Sequence, residues 1–209
     1  MRVECFAATR PQQGRAEKDN EDAFLISLED PPIAALCDGV GHPQRVAKKV
    51  LQSFQRLCRA ATQHHIVDPA TWASWIRALD SGVEKDYFST FIGVVILDTL
   101  AIGASAGNSR AFVVSRSGDC RHLTQGADRN TLGSGKAVAF PIRQPLESGD
   151  ALLLLTDGAW AALSMDLLKQ IVFAEAASRF FDVPKACLDV ASRNGRTDDM
   201  TVIALRVVS

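Results

Sequence analysis

Residues 148–160 run SGDALLLLTDGAW. Asp150 to Thr156 is an apolar run of strand length, framed by Ser-Gly-Asp before it and Asp-Gly after it, the dipeptides that punctuate loops. The run predicts a buried strand that delivers Asp157 to a sheet edge. A second run of this kind lies upstream, where Ile33 to Cys37 predicts a short buried strand ending at Asp38-Gly39. Two further acidic residues stand where a strand meets a loop, Asp22 in NEDA and Asp198 in GRTDDMTV. A glycine after Asp38 or Asp157 lets the backbone turn sharply and approach a ligand closely. One Asp-Gly pair is ordinary turn chemistry. Two, each closing a very apolar strand, with NEDA and TDDMT alongside, make a set.

Outward from these strands the chain alternates sheet and helix. Residues 3–9 and 23–28 read as strands. Pro43 opens a helical pattern with Val46, Val50, Leu51, Phe54, Leu57 and Cys58 on one face, and Asp68-Pro69 starts a second helix carrying Trp72, Trp75, Ile76 and Leu79. From Ser89 the texture becomes that of an antiparallel meander, three strands with tight turns at Asp98-Thr99 and Ser117-Gly118-Asp119. Residues 126–146 predict loop and short strands. Two helices, about 164–177 and 183–193, precede a last strand from Met200 to Val208. Strand runs broken by helix pairs, without regular βαβ units, predict an α+β fold with its sheets covered by helices. No repeat, linker or low-complexity tract divides the 209 residues, so one domain over 1–209 is expected.

Composition narrows the function classes. A net charge of −1 gives no electrostatic case for nucleic acid or an anionic membrane as partner. No apolar stretch approaches the roughly 20 residues of a membrane span, and MRVECFAATRPQQGR lacks the apolar core of a signal peptide. Five cysteines, an odd number without a CxxC pair, point to a reducing compartment, and a cytoplasmic protein is expected. Cys187 to Arg193 matches the CxxxxxR spacing of a cysteine phosphatase, but CLDVASR has no glycine to expose backbone N–H groups and falls in a predicted helix. Four carboxylates gathered at one sheet edge would repel one another, and a hard divalent cation relieves that repulsion. Oxygen-only ligation suits magnesium or manganese.

The order of the segments resembles the metal-dependent serine/threonine protein phosphatase family of type 2C. The matching stretches are GRAEKDNEDA, ALCDGVGH, FSTFIGVVI, AGNSRAFVVSRSG, HLT, SGDALLLLTDGAW and TDDMTVIAL, which span about residues 14–205. The resemblance implies a four-layer α/β/β/α sandwich, two antiparallel sheets flanked by helices. It implies two Mn²⁺ or Mg²⁺ ions, with Asp38 bridging both, the Gly39 carbonyl on one, Asp22 on the other, and Asp157 and Asp198 completing the first. Glu21 would act through water. A water activated between the two ions would attack phosphorus in line, without a phosphoenzyme. His42 or a metal-bound water would protonate the leaving oxygen, and Arg15 would hold the substrate phosphate, with Arg10 or Lys18 as substitutes.

Three departures from the family pattern matter. Asn108 stands where the family carries an acid that supports a third metal, so a third ion is expected to bind poorly or not at all. The stretch from Leu123 to Asp150 is short and keeps NTLGSG as the trace of a mobile flap, which is the economy of compact bacterial regulatory phosphatases. Pro43 shortens the turn after Asp38 and moves the start of the helix towards His42. Asp199 occupies a position where many members have Asn. The implied substrate is a phosphorylated protein, a regulator or the cognate serine/threonine kinase. Two other readings stand beside this one, a weak or inactive relative that binds phosphoproteins as a regulatory module, and a metal-dependent hydrolase of small phosphorylated substrates.

Overall fold

A computed structural model describes residues 2–40, 45–127, 130–176, 179–195 and 197–208. Two sheets form the centre. The first has the order β1-β11-β10-β7-β8, built from β1 (Arg2–Arg10), β7 (Arg110–Val114), β8 (Cys120–His122), β10 (Ala151–Leu155) and β11 (Met200–Val208). The second has the order β2-β3-β5-β6-β9, from β2 (Asp22–Ser27), β3 (Ile33–Val40), β5 (Phe91–Leu97), β6 (Leu100–Ala106) and β9 (Phe140–Pro145), with the short β4 (Phe88–Ser89) added to the end of β3. Every strand pair is antiparallel.

Side-chain alternation turns these sheets into four layers, as expected. Leu152 and Leu154 of β10 pack with Ile203 and Leu205 of β11 against Ala34 and Leu36 of β3, filling the space between the sheets. The alternate residues Leu153 and Leu155 face α4 (Asp157–Trp160), α5 (Met165–Ala176) and α6 (Val183–Arg193). Ala35 and Cys37 of β3 face α1 (Arg45–Ala60) and α3 (Pro69–Gly82), where Phe54 meets Phe91 with ring centroids 4.9 Å apart. A strand with both faces covered must be apolar throughout, which is why LLLL is uninterrupted. Asp68 caps α3 by accepting from the Ala70 N–H. The short α2 (Gln63–Val67) holds His64 and His65 and is closed by a Thr62–His65 capping box.

Two sequence expectations are corrected here. The three strands after Ser89 are not one meander. β5 and β6 form the expected hairpin through Asp98-Thr99, but β7 pairs with β10 in the other sheet. The chain changes sheet at Gly107, whose φ of +94° no β-branched or bulky residue accepts readily. The strand that begins at Ile33 also does not end at Asp38-Gly39. It runs on to Val40 because Asp38 pairs with Asp22 of β2 and Gly39 with Ser89 of β4. Among the described residues no helix is long and apolar enough to cross a membrane.

Candidate metal centre

The register of β2 on β3 sets the centre. Asp22 and Asp38 are direct partners across the two antiparallel strands. Asp38 lies two and four residues after Leu36 and Ala34, and Asp22 lies four before Ile26, all of which face the other sheet. By the two-residue period of a strand, both carboxylates point into the end of the cleft between the sheets. Asp157 reaches this point from the opposite sheet, as the first residue of α4 after β10. Asp198 arrives on the loop that leads into β11. The four candidate ligands are therefore carried to the same end of the sandwich.

The charges of these carboxylates act on one another. Burial, and then the negative charges of Asp22, Asp157 and Asp198, push the Asp38 carboxyl up to about 9, and the Asp157 carboxyl lies close enough to share a hydrogen bond with it. Burial is also the main reason that Asp22 rises to about 7, with Asp199 and Asp157 adding negative charge. Asp22 is 2% exposed. Its Oδ2 accepts from the Thr156 hydroxyl at 2.8 Å, while its Oδ1 is buried with no hydrogen-bond partner. A buried carboxylate oxygen without a donor is costly. A cation satisfies it, and the donor set, all carboxylate and carbonyl oxygen, is that of a magnesium or manganese site. Among the described residues, no three acidic, histidine or cysteine side chains already close around a common point. Asp22 and Asp157 are instead held by side-chain donors, and Asp38 is held through its backbone.

Those donors were not predicted as functional residues. The Thr90 hydroxyl accepts from the Asp38 N–H at 2.9 Å, and the Thr90 N–H donates to the Asp38 carbonyl at 2.8 Å, so one threonine fixes Asp38 from both sides. The Ser109 hydroxyl braces Thr90 at 2.8 Å. Asn108 donates from Nδ2 to Asp157 Oδ2 at 2.8 Å, and Trp160 donates from its indole to the Asn108 carbonyl while Arg110 lies over the Trp160 ring. The only signal in the sequence was their place inside STF and GNSRA.

Asp199 has a structural task. Its Oδ1 accepts from the Gln12 N–H at 2.5 Å and its Oδ2 from the Glu21 N–H at 2.7 Å. It ties the 11–21 segment to the start of β11. Arg15 is drawn to the same place, 3.5 Å from Glu21 and 4.0 Å from Asp199, and is about half exposed at the rim of the centre. Arg10 is committed elsewhere, bonded to Asp189, Ser192 and the Leu188 carbonyl of α6. Lys18 lies on the exposed 3₁₀ turn of residues 17–19.

The role of the two glycines is also corrected. Neither Gly39 nor Gly158 has a positive φ. A Cβ on Gly158 would lie 1.9 Å from the Asp199 carbonyl oxygen, so glycine is needed for the close approach of two backbones that brings Asp157 and Asp198 together. Gly39 is under milder pressure. Its N–H donates to the Glu21 carbonyl at 3.1 Å, and a Cβ would meet that oxygen at 3.1 Å. His42 lies outside the described residues. Cys187 is fully buried in α6, and burial pushes its thiol up to about 12, which removes it as a nucleophile.

The flap trace folds onto the body. Asp80, at the end of α3, accepts backbone N–H groups from Gly133 at 2.6 Å, Gly135 at 3.2 Å and Ala137 at 3.2 Å. Leu132 is buried against the helices and bridges to Ser89, beside Gly39.

Comparison with known proteins agrees with this architecture. The family model for Stage II sporulation protein E matches residues 29–208. Among solved structures, the catalytic domain of the serine/threonine protein phosphatase PstP, in complex with two manganese ions, superposes with a TM-score of 0.81 at 17% identity, covering 99% of each chain. Serine/threonine phosphatase Stp1 from Staphylococcus aureus gives 0.81 at 19% identity, covering 100% of this chain and 96% of that one. PppA, a regulatory component of the type VI secretion system in Pseudomonas aeruginosa, gives 0.80 at 16% identity, covering 99% and 98%. At these identities the likeness speaks for the fold. A search of curated proteins finds no match.

Proposed function

The chain belongs to the Stage II sporulation protein E family, and from that premise we propose that it is a metal-dependent phosphoprotein phosphatase acting on phosphoserine and phosphothreonine. The observation that carries this reading is the facing pair Asp22–Asp38 at the mouth of the sandwich, with the charges of Asp157 and Asp198 acting on Asp38. Asp38 would help to hold two Mn²⁺ or Mg²⁺ ions. Asp22, the Gly39 carbonyl, Asp157 and Asp198 would complete their ligand set. The PstP structure that contains two manganese ions supports that number. When bound, such a pair supplies a Lewis-acid centre that lowers the pKa of a shared water and offsets charge on the phosphoryl oxygens.

The protein's own groups do the rest. Thr156 occupies one carboxylate oxygen of Asp22, which leaves the other for a cation, and Asn108 holds Asp157 through its Oδ2. Thr90 keeps Asp38 from shifting along its strand. Arg15, held at the rim by Glu21 and Asp199, is proposed to take two oxygens of the substrate phosphate through its planar guanidinium. His42 is proposed to return a proton to the departing serine or threonine oxygen. Residues 1–209 are proposed to act as one unit in the cytoplasm, on a phosphorylated regulator or the cognate kinase. The serine/threonine phosphatases PstP and Stp1, which share the fold, support that substrate class.

Hydrolysis of para-nitrophenyl phosphate and of a phosphothreonine peptide, dependent on Mn²⁺ and abolished by EDTA, is the expected result. Full activity in Asp38→Ala would overturn the assignment. A second reading, a phosphoprotein-binding relative without activity, is favoured by one observation, that three ligands do not yet close on a common point. Calorimetry separates the two readings, because a true pseudoenzyme takes up no Mn²⁺ tightly.

A further inference from the structure

A groove of about 300 Å³ runs between α1 and the end of α3, away from the carboxylates. One wall is a basic stripe on α1, where Arg45, Lys49 and Arg56 recur at helical spacing. The floor and far wall are apolar, with Leu79 of α3 and Val83 just beyond it. Glu84 is the acid at this rim and pairs with Lys49, so the lining carries three cations to one anion in a chain whose net charge is −1.

The chain links the groove to the candidate metal centre. Tyr87 lines it, and the next two residues form β4, which pairs with Val40 and Gly39 immediately after Asp38. Val40 and Phe88 face each other across that pairing and are 51% and 39% exposed, an apolar step between groove and centre. Arg45 follows Asp38 by seven residues, a chain distance of at most about 25 Å. From Arg45 to Arg56 the stripe is about 16 Å long, the length of roughly five residues of extended chain.

We propose that this groove docks an acidic, partly apolar segment of the phosphoprotein substrate, lying in the same chain as the phosphoresidue presented to the metal centre. The inference rests on the phosphatase reading above. Carboxylates of the segment would meet Arg45 and Arg56, and its apolar residues would cover Ala78 and Val83. Charge complementarity of this exposed kind governs partner choice and association more than it adds affinity.

The test compares phosphothreonine peptides that share one phosphosite and carry either glutamates or alanines on one flank, with the flank placed before or after the phosphosite. The wild-type enzyme should show a KM several-fold lower, about fivefold for two or three screened contacts, for one of the glutamate series, and the preference should shrink as salt rises. Arg45→Ser/Arg56→Ser should lose that preference while its para-nitrophenyl phosphate turnover and Mn²⁺ requirement stay at the wild-type level. Equal KM values for glutamate and alanine flanks in the wild type, or a preference that survives in the double variant, would overturn the proposal. If the wild type hydrolyses nothing, it is the phosphatase reading that fails. Fluorescence anisotropy of the labelled, unphosphorylated glutamate peptide then decides the groove alone. Binding that the double variant loses upholds it, and no binding ends it.

Discussion

Asp22 and Asp38 are cross-strand partners, Cα opposite Cα, with both side chains aimed at the same opening of the sandwich. Like charges directly opposite on a sheet are destabilising, so the fold holds this pair at a cost. The first prediction follows from that cost. Asp38 titrates at about 9 and Asp22 at about 7 in the folded protein, against an ordinary 3.8. Between those values the folded state binds protons that the unfolded state has released, so metal-free stability must fall as pH rises from about 4 to about 9. The melting temperature of EDTA-treated protein is expected to drop between pH 5.5 and 8.5, and Mn²⁺ should raise it far more at pH 8.5. A metal-free Tm that is flat over this range, with no gain from Mn²⁺, would count against the buried pair.

Asp199 joins two remote segments through two charge-assisted hydrogen bonds while nearly buried, 6% exposed. Asp199→Ala leaves the Gln12 and Glu21 N–H groups without their acceptor and should cost roughly 1–3 kcal/mol, read from the urea midpoint. It should also free Arg15, so KM for a phosphopeptide should rise more than kcat falls. Asp199→Asn keeps one acceptor oxygen and should fall between the two. If Asn and Ala behave alike and neither shifts KM, Asp199 does not position Arg15.

Asn108 donates to Asp157 where an acid would repel it. Isothermal titration of the wild type with Mn²⁺ is expected to saturate at two ions. Asn108→Asp should destabilise the metal-free protein at pH 8 and add a third, weaker binding event. A wild-type stoichiometry of three would contradict the role given to the amide.

Thr90 bonds both backbone groups of Asp38 and is braced by Ser109. Thr90→Val keeps the shape and removes the hydroxyl. The Asp38 N–H then loses its acceptor, at a cost of about 1–3 kcal/mol. Activity should fall with it, because a looser Asp38 misplaces both ions, and Thr90→Ser should restore most of it. A silent Thr90→Val would reduce Thr90 to ordinary core packing.

The positions of Asp38 and Asp157 were legible because strand ends announce themselves. LLLL before Asp157 and AALC before Asp38 can only be strands covered on both faces, and a charge at the end of such a strand has one place to go. What the sequence hid is what depends on two distant backbones at once. Asp199 reads like a variant of a motif residue, yet its partners are 187 and 178 residues away. The step of β7 into the other sheet is carried by one glycine, and a hairpin and a crossover look alike along a single chain.

Gly158 puts that limit to a direct test. The Asp-Gly pair reads as a turn, yet the missing Cβ is what matters, because the Asp199 carbonyl oxygen sits 1.9 Å from where it would be. That oxygen is backbone, and Asp199 is tied down through its side chain, so it has little freedom to give way. Gly158→Ala must therefore push the start of β11 away from α4 and draw Asp198 away from Asp157. Gly158→Ala is expected to weaken Mn²⁺ binding by at least tenfold in calorimetry and to remove most activity, with a loss of a few kcal/mol typical of overpacking. An exposed glycine offers the contrast. Gly82, which has no atom within 4 Å of its Cβ position, should accept alanine with no effect on metal affinity. Equal and small effects at the two positions would show that Asp157 and Asp198 do not depend on this approach of backbones to meet.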